Sequence, residues 1–207
     1  MTDPLPSPSG AEQFFAEHVG RCRVLAILRG YGAGTVELCE RAWAAGVGLV
    51  EVPVQSAADL DALLAAVRAG RERGRPVGAG TVTSEALVAE VAAAGAAFTV
   101  APGLDADVLH ASQAAGLPHL PGVATASEVH RALRLGAVWL KAFPAVALGP
   151  EWFAAMRQPF PQARFVATGG VTPANATAFL DAGAAAVSLG SAFADADPAV
   201  LRRLVTA

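Results

Sequence analysis

Apolar residues recur along this chain in short unbroken runs, each following a segment of helical spacing that ends at glycine. The pattern shows in "RAWAAGVGLVEVPV", "VAAAGAAFTVAP", "SQAAGLPHLPGV", "RALRLGAVWLKAFP" and "FLDAGAAAVSLGSAF". Glycine is expected just past a helix, where the backbone turns left-handed and a Cβ would clash. The runs lack polar alternation, the mark of parallel strands covered on both faces. They are "CRVLAIL" (22–28), "GLVEVPV" (48–54), "PVGAGTV" (76–82), "AFTVAP" (97–102), "PHLPGV" (118–123), "VWLKAFP" (138–144), "ARFVATG" (163–169) and "AAVSLG" (185–190). Between them, Thr83 or Ser84 can cap a helix with Glu85 in its first turn. Thr172-Pro173 and Asp197-Pro198 each place proline near a helix start. Eight strand–helix units, each about as short as a parallel crossover permits, predict an α/β fold, a (β/α)8 barrel. The segment "AEQFFAEHVGR" predicts an extra N-terminal amphipathic helix that closes the barrel floor. An open doubly wound sheet shows the same alternation. Against it, "GAGTVT" lacks the third glycine of a dinucleotide fingerprint. Residues 1–10 are expected to form a disordered polar tail and 11–207 a single barrel domain.

With 207 residues, 54% of them hydrophobic, the chain can bury a sizeable core. A net charge of −3 provides no electrostatic footprint for nucleic acid or an anionic membrane. Arg71, Arg73 and Arg75, the densest basic patch, suit a solvated helix end. The start has neither the positive nor the apolar region of a signal peptide, and no apolar stretch reaches the ~18 residues of a membrane span. A cytoplasmic protein is expected. Cys22 and Cys39 are too few for a disulfide framework and read as buried thiols. His18, His110, His119 and His130 lack metal-ligand spacing and read as packing or surface residues. No metal or cofactor is expected.

In a barrel, chemistry sits at the C-terminal ends of the strands. The polar residues there are Arg29, Glu51, Gln55, Thr81, Thr125, Lys141, Thr168, Ser188 and Ser191. Lys141 is the one lysine; every other basic side chain among the fifteen is arginine. Burial removes hydration from an ammonium and favours the neutral amine, which attacks carbonyl carbons to form a Schiff base. A structural ion pair with Glu51, or an ammonium reaching water at the mouth, explains the residue equally simply. Glu51 in "LVEVPV" points either into the barrel, where it can shuttle protons, or towards the helices. It can also pair with Lys141 or Arg29. Gly169-Gly170 and Gly190-Ser191 end the last two runs, where barrels commonly bind phosphate. Two tight turns are the structural alternative.

The pieces "LAILRG", "EVPVQS", "VGAGTV", "APGL", "PGVATASE", "LKAFPA", "TGGVTPAN" and "LGSAF" follow one another from about Arg23 onward. In that order they resemble the 2-keto-3-deoxy-6-phosphogluconate/2-keto-3-deoxy-6-phosphogalactonate aldolase family. The resemblance implies a metal-free class I aldolase, a homotrimer of barrels. It would cleave a phosphorylated 2-keto-3-deoxy sugar acid to pyruvate and glyceraldehyde 3-phosphate. It further implies Lys141 as the Schiff-base lysine and Glu51 as the general acid/base. Arg29 and Thr81 match positions at the pyruvate end; Gly169, Gly170, Gly190 and Ser191 match the phosphate site. Between the C4 epimers, "LAILRG", "EVPVQS" with Gln55, and "ALGPEW" resemble the galactonate branch. Thr168 and "APGL" resemble the gluconate branch. The expectation leans to galactonate, with dual specificity as an alternative. A phospho-sugar isomerase or a non-catalytic sugar-phosphate sensor is the distant one.

Overall fold

The computed structural model describes residues 10–20 and 22–206. The expected tail lies outside these residues except for Gly10, which opens helix α1 (Gly10–Val19). Strands and helices then alternate: β1 (Val24–Ile27), α2 (Thr35–Ala44), β2 (Leu49–Pro53), α3 (Ala57–Glu72), β3 (Val77–Gly80), α4 (Glu85–Ala93), β4 (Thr99–Val100) and α5 (Ala106–Ala114). The second half continues with β5 (His119–Leu120), β6 (Gly122–Val123), α6 (Ala126–Arg134), β7 (Trp139–Ala142), α7 (Ala145–Leu148) and α8 (Pro150–Arg157). It ends with β8 (Arg164–Thr168), α9 (Ala176–Asp181), β9 (Ala186–Leu189), α10 (Ser191–Ala194) and α11 (Pro198–Thr206).

All strand pairs are parallel, in the order β5-β4-β3-β2-β1-β9-β8-β7-β6. The two ends of that order, β5 and β6, are consecutive pieces of one extended segment. The eight expected runs are therefore nine strands, because the fifth is divided at Pro121. Leu120 pairs backwards with β4, and Gly122 pairs forwards with β7. Proline has no N–H to give to a ladder, but its carbonyl accepts from the Lys141 N–H at 2.8 Å. The ring closes through this segment, and the fold is the expected (β/α)8 barrel.

Local chemistry explains four of the helix starts. Ser56, Ser84, Asp105 and Thr125 each accept a backbone N–H in the first turn of the helix that follows. Thr125 and Glu128 form a reciprocal capping box, so this candidate site residue is a helix cap. The helix expected to open at Thr172-Pro173 begins instead at Ala176. The Asn175 side chain takes the Thr172 N–H at 2.8 Å, and a turn precedes the helix. Cys22 and Cys39 are buried free thiols, as expected.

The core has two layers. The larger joins the outer face of the strands to the helices. The smaller fills the barrel and contains Leu25, Leu49, Phe98, Val100, Leu120, Trp139, Val166 and Ala186, with Phe15 of α1 below. Phe15 packs its ring against Phe98 and Trp139, so α1 does close the floor. Strand periodicity of two then dictates the next layer up. Two residues beyond Leu25, Leu49, Trp139, Val166 and Ala186 come Ile27, Glu51, Lys141, Thr168 and Ser188. Polar atoms thus enter the ring one layer above the hydrocarbon floor. Among the described residues, no helix is long and apolar enough to cross a membrane.

His119 is 5% exposed and meets Thr99 Oγ1 through Nδ1 at 2.8 Å. Thr99 in turn donates to Ser112 at 2.9 Å. Burial pushes the imidazole down to about 4. The unfolded chain takes up this proton near its ordinary pH of about 6.5 while the folded chain resists it. Stability is therefore greatest above that value and falls as the pH drops towards 4. Glu12 lines the same small crevice as His119, so the comparison is made against His119→Leu. Urea unfolding at neutral and acid pH should show wild type losing about 3 kcal/mol more than the variant across this window. Equal losses would exclude His119 as the source.

Candidate active site

The pleat delivers Lys141 from β7 and Glu51 from β2 to the inside of the ring, near its C-terminal mouth. Lys141 is 5% exposed and Glu51 2%. Their atoms Nζ and Oε1 are 3.9 Å apart. Glu51 therefore points inward and pairs with the lysine, leaving Arg29 to other partners. On one side the ammonium lies 5.4 Å from the centre of the Phe143 ring. An aromatic face stabilises a cation without removing its donors. Phe143 escaped the list of polar candidates because it is apolar, although the motif "KAFP" placed it two residues from the lysine.

Glycines on β3 make the room. Gly78 and Gly80 both face inward, and a Cβ at either would overlap a neighbour. At Gly78 that neighbour is the Phe98 ring, and at Gly80 it is the Glu51 carboxylate. The "GAG" of this run is thus a space for a buried acid. Its neighbours alone reveal this, since the spacing of the glycines carries no such signal.

Lys141 opens on a cavity of about 240 Å³ lined by Arg29, Phe143, Thr168, Gly169, Gly170, Gly190 and Ser191, among others. The two glycine loops expected from the sequence therefore share one cavity with the lysine. Gly169 and Gly170 have φ of 94° and 74°. That backbone disfavours any side chain, and a Cβ at Gly170 would also crowd Val146. Thr168 is 3% exposed, and its hydroxyl donates to the Val166 carbonyl at 3.3 Å.

Thr81 lies off this lining and reaches it through Arg29. The guanidinium Nη2 donates to Thr81 Oγ1 at 3.3 Å, and Nη1 donates to Gln55 Oε1. The residues assembled are two cations, one carboxylate and a pair of glycine-lined turns. Such an arrangement can bind a polyanion and present an amine and a proton acceptor to its carbonyl. Among the described residues, no group of three or more His, Cys, Asp or Glu could hold a metal ion.

Comparison with known proteins follows the same lines. The family described as KDPG and KHG aldolase matches residues 17–202. A 2-dehydro-3-deoxy-phosphogluconate aldolase of Pseudoalteromonas atlantica is 37% identical over 146 residues, 70% of this chain and 67% of that one. A 2-dehydro-3-deoxy-6-phosphogalactonate aldolase of Escherichia coli is 37% identical over 148 residues, 71% of this chain and 72% of that one. Among solved structures, the KDPG aldolase of Legionella pneumophila holds pyruvate captured at low pH as a covalent carbinolamine intermediate. It superposes with a TM-score of 0.78 at 29% identity, over 90% of this chain and 95% of that one.

Gly80→Ala tests the space beneath the acid. The added methyl should drive the Glu51 carboxylate away from Lys141 and cost about 1–3 kcal/mol of stability, as overpacking does. A crystal structure and a denaturation curve measure both. An unchanged separation between Nζ and Oε1 would show that the strand yields instead.

Proposed function

The chain belongs to the KDPG and KHG aldolase family, and on that premise we propose a class I aldolase acting through Lys141 on 2-keto-3-deoxy-6-phosphogalactonate. The observation that carries the reading is the Lys141 amine. It lies within 3.9 Å of the Glu51 carboxylate and opens on the cavity that Gly169, Gly170, Gly190 and Ser191 share. The carbinolamine captured in the Legionella pneumophila relative supports covalent chemistry at the equivalent step.

In the proposed reaction the neutral Lys141 amine adds to the C2 ketone. Glu51 relays protons as the carbinolamine loses water to an iminium ion. Glu51 then takes the proton of the C4 hydroxyl. The C4 aldehyde forms as the C3–C4 bond breaks, and its electron pair moves into the iminium to give an enamine. Glyceraldehyde 3-phosphate leaves. Protonation at C3 restores an iminium, and water releases pyruvate and the free lysine. Arg29 holds the carboxylate with a fork that suits it. The glycine turns hold the phosphate, whose remote binding energy orients the reacting carbons. The reading carries with it a homotrimer working in the cytoplasm, without metal or cofactor.

The preference for the galactonate epimer rests on two contacts. Arg29 and Gln55, the galactonate-like pair, are engaged with each other at the mouth. Thr168, the gluconate-like residue, spends its hydroxyl proton on its own strand. A site that reads a hydroxyl discriminates strongly only when its polar partner is offered to it.

Incubation with pyruvate and borohydride, followed by intact-mass measurement, should give an adduct that Lys141→Arg lacks. Glu51→Gln should retain the fold and lose about 10²–10⁴ in turnover, the range of general acid–base catalysis. No adduct on wild type would favour an isomerase or a sugar-phosphate sensor. Turnover on the two C4 epimers should favour galactonate, with Thr168→Val changing that ratio less than about threefold. A tenfold or larger change would assign epimer discrimination to the Thr168 hydroxyl.

A further inference from the structure

We propose that Gln55 is a positioning residue. It fixes Arg29 over the reaction cavity without cancelling its charge, and so sets the affinity of the site for the carboxylate of a 2-keto acid. The inference rests on the aldolase reading and identifies what tunes the carboxylate end of that site.

Arg29 follows β1 at an exposed position of the mouth, where a long side chain has many rotamers to lose on binding. Two uncharged side chains remove that freedom in advance. Gln55 Oε1 accepts from Nη1 and Thr81 Oγ1 from Nη2. Both acceptors are themselves held. The Gln55 backbone N–H donates to Asp59 Oδ2 at 3.1 Å, and the Ser56 hydroxyl donates to the same oxygen at 2.8 Å. Ser56 is also the cap of α3, so the end of β2 and the start of α3 hold Gln55 between them. Thr81 has φ 60° and is the one non-glycine residue with positive φ among the described residues. A β-branched side chain adopts that conformation only where its surroundings impose it.

The choice of acceptor matters. A carboxylate at position 55 would hold the guanidinium more strongly, because charge-assisted bonds are the stronger ones. It would also neutralise the cation that a substrate carboxylate needs. An amide oxygen holds without neutralising. Two of the five N–H donors of Arg29 are occupied by these contacts, and three remain for a ligand.

The test compares wild type, Gln55→Ala and Gln55→Glu in borohydride trapping with two ketones. Pyruvate carries a carboxylate, and hydroxyacetone does not. Both form their adduct on Lys141, and intact mass reads each. The pyruvate concentration for half-maximal trapping should rise about tenfold in Gln55→Ala and further in Gln55→Glu. Trapping with hydroxyacetone should be unchanged in both, which a general loss of folding or of lysine reactivity would not permit. Equal losses with the two ketones, or no loss with pyruvate, would overturn the role of Gln55 while leaving the aldolase reading intact. Absence of a pyruvate adduct on wild type would overturn the aldolase reading and this role with it.

Discussion

A lysine and a glutamate stand side by side in a ring whose floor is hydrocarbon, and the site is organised around that pair. Removing an ion from water costs several kcal/mol even after relaxation, and a well-packed apolar pair in the same space is commonly as stable or more so. Stability therefore does not account for Lys141 and Glu51. The proposed chemistry does, since addition to a carbonyl requires an amine next to a proton acceptor. The exposed pair Arg73–Glu40 is a contrast, with Nη2 and Oε1 in contact at the surface. Such pairs contribute about 0–1 kcal/mol and commit the fold to nothing.

The remaining architecture can be understood as what this pair demands. The ring must close for the two side chains to meet inside it, and it closes through the segment divided at Pro121. Below, the rings of Phe15, Phe98 and Trp139 seal the floor. β3 must carry no side chain where the acid lies, and Gly80 meets that need. Above, Phe143 covers the ammonium on one side while the glycine turns after β8 and β9 leave the other side open. The apolar floor thus lies at the N-terminal end of the barrel and the candidate site at the other, the division usual in this fold.

The mouth is organised by a different rule. Arg29 is held by an amide and a hydroxyl, and Lys141 by a carboxylate and a ring. Arg29 thus has uncharged acceptors, and Lys141 has a proton acceptor beside it. The proposed reaction uses the first for binding and the second for addition to the carbonyl, and exchanging the two sets of neighbours would suit neither role.

Much of this was legible in the sequence because it depends on neighbours in the chain. Helix caps, glycine stops and unbroken apolar runs act over a few residues, so the eight units, the floor helix and the barrel all follow from them. The singular Lys141 and the paired glycines likewise announce themselves. The sequence could not say which way Glu51 points, because a period of two fixes alternation along a strand but not which phase faces inward. Nor could it say that Glu51 pairs with Lys141 rather than Arg29, that Gln55 meets Arg29, or that the "GAG" of β3 makes room for an acid. These depend on contacts between strands far apart in the chain, and only the closed ring brings those strands to a common centre. The helix expected to open at Thr172-Pro173 starts later for a smaller reason of the same kind: the Asn175 side chain reaches back to the Thr172 backbone N–H, and a turn forms first. Local chemistry determined the elements, and closure of the ring decided which of their side chains meet.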